Sequence, residues 1–200
     1  MNSSLPAPSA DAQPATGAPY ATLTPNVVLD ALDTVGFRGD GRMIALNSYE
    51  NRVYQVLMEE GPPVVVKFYR PARWTDAQIR EEHAFALELA GREIPVVAPL
   101  ALTKVDDARN IERLRMAGDT LAEYAGFRFA VYPRRGGRAP ELDDAKTLEW
   151  IGRFIGRIHA VGAIAPFRER PAIDVHSLGV ESRDFLLANG WIPAELVAPY

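Results

Sequence analysis

The chain has no cysteine, which excludes disulfides and thiolate metal sites. Its three histidines, His83, His159 and His176, lie far apart and offer no metal-ligand spacing. No apolar run approaches the roughly 20 residues that span a bilayer. The first residues combine neither a basic start nor an apolar h-region, so the N-terminus does not read as a secretory signal, and the cytoplasm is the default address. A basic excess is missing too: the formal net charge is −4, which argues against general nucleic-acid binding. Lysine itself is scarce. Of 22 basic residues only Lys67, Lys104 and Lys146 are lysine, so a lysine inside an apolar strand is less easily an arbitrary choice.

What is present describes a soluble globular protein. Hydrophobic residues make up 48% and charged residues 24%, enough apolar material for a core. Two hundred residues suit one ordinary domain, or a small domain plus part of another.

Residues 1–22 are rich in Ala, Pro and Ser and read as a disordered tail. Thr24-Pro25 opens a helix with Val28, Leu29, Leu32 and Val35 on one face, and Gly36 ends it. Met43–Leu46, Val53–Leu57 and Val64–Tyr69 read as strands of an antiparallel meander, because their connections are too short for a crossover helix. Thr75 caps a helix from Asp76 to about Gly91, with Gln78 completing a capping box. Ile79, Glu82, Phe85, Ala86 and Leu89 fall on its apolar side, and Glu81 points more toward solvent. Strand character returns over Ile94–Leu102 around two prolines, and Phe127–Tyr132 is a fifth strand. Between them Thr103–Ala125 reads as an insertion in a hairpin, with Ala108–Met116 suited to a helix. Residues 134–140 form a linker, from Arg134 and Arg135 through Gly136-Gly137-Arg138. Beyond it Leu142 to about Val161 is helical, with Leu148, Ile151, Ile155 and Ile158 on one face and Gly152 and Gly156 allowing close packing. A weaker helix lies near Ser182–Ala188.

Alternation places Val65, Lys67 and Tyr69 on one face of the third strand and Val64, Val66 and Phe68 on the other. A buried, unpaired ammonium costs several kcal/mol. Lys67 is therefore either an edge-strand lysine guarding against aggregation, or one paired with a carboxylate and an anionic ligand. Glu82, fifteen residues on, is the inward carboxylate of the next helix, with Glu81 the substitute if the helix phase shifts. A strand lysine, a helix glutamate and a loop between the first two strands are the parts of a kinase nucleotide lobe.

The resemblance rests on Leu46-Asn-Ser-Tyr-Glu-Asn-Arg-Val-Tyr54, Val65-Val-Lys-Phe-Tyr-Arg-Pro71, Arg73-Trp74, Glu81–Leu89, Phe129–Pro133 and Gly136-Gly-Arg138. Over about residues 23–195 the chain resembles the bacterial stress response kinase A family, cytoplasmic Ser/Thr protein kinases with the fold of aminoglycoside and choline phosphotransferases. The resemblance implies an α+β, protein-kinase-like fold: a five-stranded antiparallel lobe with its helix over 23–133, then the start of a helical lobe over 141–200. It implies ATP as the nucleotide, with Lys67 on the α- and β-phosphates, Glu82 holding Lys67, and Ser48 and Asn51 in a covering loop that does without glycine. Val65 would line the adenine, and Phe129–Pro133, with Val131 among the nucleotide contacts, would reach the hinge. Protein Ser/Thr hydroxyls are the implied acceptor, and a monomer the implied full-length state. Neither nucleic acid nor membrane is implied as a partner.

One element of that family's pattern is absent. Its catalytic His-Gly-Asp-x-His-x-x-Asn loop and the following magnesium-binding Asp do not occur before Tyr200. Asp174-Val-His176 has the Asp-x-His spacing, but no His-Gly precedes it and Gly179 stands where the metal-binding Asn belongs. The expectation is an ATP-binding lobe without its catalytic base or Mg²⁺ ligands, inactive in these 200 residues alone. A small-molecule kinase of the choline or aminoglycoside type, and a non-catalytic nucleotide- or partner-binding module, are the competing readings.

Overall fold

The computed structural model describes residues 19–198. The tail expected over 1–22 lies largely outside them. The described residues divide into two compact units, one of residues 19–74 and 99–136, the other of 75–98 and 137–198.

The first unit is an antiparallel sheet with a helix on one face. Helix α1 (Pro25–Asp33) has Thr24 as its N-cap, the side chain accepting the Val27 N–H, and Pro25 in its first turn. The sheet comprises β1 (Gly39–Leu46), β2 (Arg52–Met58), β3 (Val64–Phe68), β4 (Leu114–Met116), β5 (Ala122–Tyr124) and β6 (Phe127–Pro133). Their spatial order is β1-β2-β3-β6-β5-β4. Val28, Ala31 and Leu32 of α1 join Val56, Val64, Val66, Phe68, Phe129 and Val131 in one core. Within it the rings of Phe68 and Phe129 lie 5.5 Å apart. Period-two alternation thus has a physical cause here, since α1 covers one face of the sheet and leaves the other half-open.

Two sequence expectations change. The sheet has six strands rather than five, and Ile94–Leu102 is not one of them. Pro95 and Pro99 remove ladder donors, and the segment meets the sheet through the Leu100 N–H to the Val131 carbonyl at 2.8 Å. The insertion is not helical over Ala108–Met116 either. It holds a short 3₁₀ turn (Ile111–Arg113) and then β4, which pairs with β5. A tight turn at Ala125-Gly126, both with positive φ (52° and 84°), leads from β5 into β6.

The second unit is helical. Helix α2 (Asp76–Gly91) begins with the full capping box of Thr75 and Gln78. Its buried residues are Ile79, His83 and Leu89, while Glu82, Phe85 and Ala86 are half-buried. Helix α3 (Ala145–Gly162) starts at Asp144, whose carboxylate accepts the Lys146 and Thr147 N–H groups, so Leu142 lies outside it. The expected apolar stripe of α3 is buried only toward its C-terminal end, where Val161 and Ile158 join Phe85, Leu89 and Ile94. Leu148 and Ile155 are exposed, and open space surrounds Gly152 and Gly156, so these glycines do not serve close packing among the described residues. A π-helical turn (His176–Val180) runs into α4 (Glu181–Ala188). Among the described residues no helix is long and apolar enough to cross a membrane.

Candidate functional site

β3 lies between β2 and β6, third of the six strands, so Lys67 is not an edge-strand lysine. Register places Val53 of β2 on one side of it and Ala130 of β6 on the other. Val65 lies between Gln55 and Tyr132 in the same way. Directly opposed residues share a face, so Val53, Gln55, Val65, Lys67, Ala130 and Tyr132 gather on the side away from α1. Ala130 is buried and the other five are half-buried. The result is a half-buried face of mostly apolar side chains that also carries one ammonium.

Tyrosines border that ammonium. Lys67 Nζ lies 4.5 Å from the centroid of the buried Tyr69 ring, a cation–π distance. The Tyr69 and Tyr132 hydroxyls are 3.1 Å apart. The contact between the two hydroxyls limits the rotamers of both rings.

Val131 does not belong to this group. It pairs with Val66 and is fully buried in the core against α1, so its side chain faces away from Lys67. Alternation within Phe127–Pro133 explains the difference: Phe127, Phe129 and Val131 face the core, and Arg128, Ala130 and Tyr132 the other side. That this face is the one carrying Lys67 follows from the pairing of β6 with β3.

The loop between β1 and β2 is tied at its base. The Glu50 carboxylate accepts the Trp74 indole N–H at 2.8 Å and Arg73 Nε at 3.0 Å. The Tyr20 hydroxyl donates to the Glu50 carbonyl at 2.9 Å. Asn51 Oδ1 accepts the Arg70 N–H at 3.3 Å, so the Asn51 side chain holds the loop base. Ser48 is half-buried and Tyr49 fully exposed at the tip. Burial raises the Glu50 pKa, but the Trp74 and Arg73 donors outweigh it and hold the carboxyl below its usual range. The partners of Glu50 lie more than twenty residues along the chain, beyond any local motif.

Glu81 and Glu82 belong to the second unit, Lys67 to the first. The Glu82 carboxylate accepts a bond from Arg170 Nη1 at 3.0 Å. Glu81 takes the backbone N–H groups of Arg168, Glu169 and Arg170 at 2.6, 3.0 and 2.7 Å. Glu81 therefore grips a loop instead of facing open solvent. Arg170 carried no sequence signal.

Asp174 and His176 have structural roles. Asp174 Oδ1 accepts the Ser177 N–H at 2.7 Å at the start of the π-helical turn, and His176 lies 3.5 Å from Glu181. Among the described residues no three His, Asp or Glu side chains gather where they could hold a metal ion. No chemical step is assigned to a metal ion.

A profile of the phosphotransferase enzyme family matches residues 43–195. The chain belongs to that family. It is 42% identical over 181 residues to stress response kinase A of Shigella flexneri and of Escherichia coli K12, covering 90% of this chain and 51% of each relative. It is also 42% identical over 175 residues to the serine/threonine protein kinase RdoA of Salmonella typhimurium, covering 88% of this chain and 49% of that one. The chain thus spans about half the length of these relatives. Among solved structures, amicoumacin kinase hAmiN in complex with AMP-PNP, Ca²⁺ and Ami matches with a TM-score of 0.54 at 20% identity, over 84% of this chain and 53% of that one. A microcompartment-associated aminopropanol kinase matches at 0.53 and 17%, over 83% and 55%. These structural likenesses show that the chain shares the fold of those two proteins, and the sequence relatives are themselves kinases.

Proposed function

We propose that this chain is the ATP-holding part of a Ser/Thr protein kinase of the stress response kinase A type. Lys67 holds the α- and β-phosphates of ATP, and Glu82 orients Lys67. Ser48 meets phosphate from the loop between β1 and β2, whose base Asn51 secures. Val65 lines the adenine, joined by Tyr132 and Ala130, and the backbone near Val131 leads to the hinge. Transfer goes from ATP to protein hydroxyls in the cytoplasm, where ATP is supplied. Mg²⁺ and the general base are left to residues beyond those assigned here, and a monomeric full-length state completes the reading.

The observation that carries this is an ammonium on the half-open face of an internal strand, with α1 covering the opposite face. A lysine at that position shortens the list of explanations, because an internal strand needs no protection from edge pairing. An anion beside it answers the cost of partial desolvation.

Titrating ATP into this chain by calorimetry tests the reading. Lys67→Ala should abolish measurable binding while the thermal unfolding curve stays in place, and Lys67→Arg should also fail, because a planar fork does not replace a compact ammonium. Unchanged ATP affinity in Lys67→Ala rejects it.

A second reading has its own support. The two solved structures that share the fold are an amicoumacin kinase and an aminopropanol kinase, both named for small molecules. Radiolabel from ATP, followed into protein versus small alcohol and amine acceptors with the full-length enzyme, separates the two.

A further inference from the structure

We propose that Arg170 is a positioning residue for Glu82, and that Glu81 fixes the loop from which Arg170 acts. This deepens the kinase reading above and rests on it.

Three consecutive residues of the loop after α3 are tied to the first two turns of α2. Gln78 Nε2 donates to the Glu169 carbonyl at 3.0 Å. The Glu81 carboxylate accepts the N–H groups of Arg168, Glu169 and Arg170, all within 3.0 Å. Arg170 Nη1 then donates to Glu82 Oε2 at 3.0 Å. Successive backbone N–H groups converging on one carboxylate form an anion nest, which restrains the backbone on both sides of it. The origin of the Arg170 side chain is therefore held before its guanidinium reaches Glu82.

Neighbouring residues on a helix point about 100° apart, so Glu81 and Glu82 divide the work. One grips the loop backbone and the other receives the arginine. The Arg170 and Glu82 side chains are 28% and 38% exposed, so neither is free to sample solvent fully. A glutamate on a helix otherwise loses substantial rotamer freedom when it must meet a ligand-bound lysine. Arg170 takes that loss in advance. A carboxylate has about four lone-pair sites, so one bond to Oε2 does not saturate Glu82. The clasp joins α2 to residues 168–170 beside the apolar contact of Phe85 and Leu89 with Ile158 and Val161. The helix that carries Glu82 is set from the second unit.

The test is calorimetric binding of ATP and of adenosine to this chain, with Arg170→Ala, Arg170→Lys, Glu81→Gln, Lys67→Ala and Glu82→Gln. Arg170→Ala should weaken ATP about three- to fivefold, the scale of a partly exposed ion pair, and leave adenosine unchanged. Arg170→Lys should recover part of the loss. Glu81→Gln, an isosteric change that should preserve the fold if Arg170→Ala does not, should move in the same direction. In a Glu82→Gln background Arg170→Ala should have no further effect. Unchanged ATP affinity in both Arg170→Ala and Glu81→Gln, with Lys67→Ala still weakening ATP, overturns the inference and leaves the kinase reading standing. So does an equal loss for ATP and adenosine, which marks a merely structural role. A rise in ATP affinity also overturns it, because Arg170 would then compete for Glu82. If Lys67→Ala leaves ATP binding untouched, the underlying reading fails and this inference with it.

Discussion

The indole N–H of Trp74 donates to the Glu50 carboxylate at 2.8 Å, across 24 positions of sequence. Arg73 donates to the same carboxylate and lies over the Trp74 ring, its guanidinium carbon 4.7 Å from the centroid. A loop with no glycine is thereby held at its base while Ser48 and Tyr49 stay at the tip.

Glu50→Ala removes a charged acceptor from two donors in a partly buried setting. It should lower stability by about 1 kcal/mol, read as a shift in the urea midpoint. Trp74→Phe keeps the ring, loses the donor and should cost less. On the kinase reading both should weaken ATP binding, and an unchanged urea midpoint in Glu50→Ala would show that the clasp contributes nothing.

The acid limb of stability follows from the same chemistry. Burial raises Glu50 and Glu81, but hydrogen-bond donors outweigh it and both carboxyls stand below their usual range. Asp144 is lowered first by the Thr147 hydroxyl and then by the Thr147 N–H. An unfolded chain takes up protons on these groups at about pH 4, before the folded one does. Their stabilisation is therefore complete above that range and is lost as pH falls through and below it. Urea midpoints measured from pH 7 down to pH 3 should fall, and Glu81→Gln should flatten the fall.

Tyr20 sets an alkaline limb. Its hydroxyl is pushed up to about 12, chiefly by burial, with Arg52 and Arg70 partly opposing. Its ring stacks 6.3 Å from Phe127. A raised pKa means the folded state keeps its proton longer, so the stabilisation is present below about pH 10 and is lost as pH rises from there toward 12. Tyr20→Phe should remove that loss. The phenolate absorbance of wild type minus variant should show one tyrosine titrating above the ordinary range.

Local chemistry was readable in advance. The Thr75 and Gln78 capping box, the Thr24-Pro25 helix start and the two faces of β3 each depend on residues within a few positions of one another. Strands β4 and β5 were not readable, because each is three residues long and too short to establish a period. Their hairpin partner follows a turn of Ala125 and Gly126, where an Asn-Gly pair would have announced two positive φ angles. The Val131 side chain faces the core, because one step along a strand sends a side chain to the opposite face.

By itself the sequence determined that Lys67 shares a face with Val65 and opposes Val64, Val66 and Phe68, because a strand's period of two is a property of its backbone. Only the tertiary structure decided that this strand is internal, that Tyr132 rather than Val131 accompanies the lysine, and that Glu81 and Glu82 answer to residues 168–170. Those outcomes depend on which distant segments close on one another. Chain closure over nearly ninety residues, as between Glu82 and Arg170, leaves no periodic trace in the residues it joins.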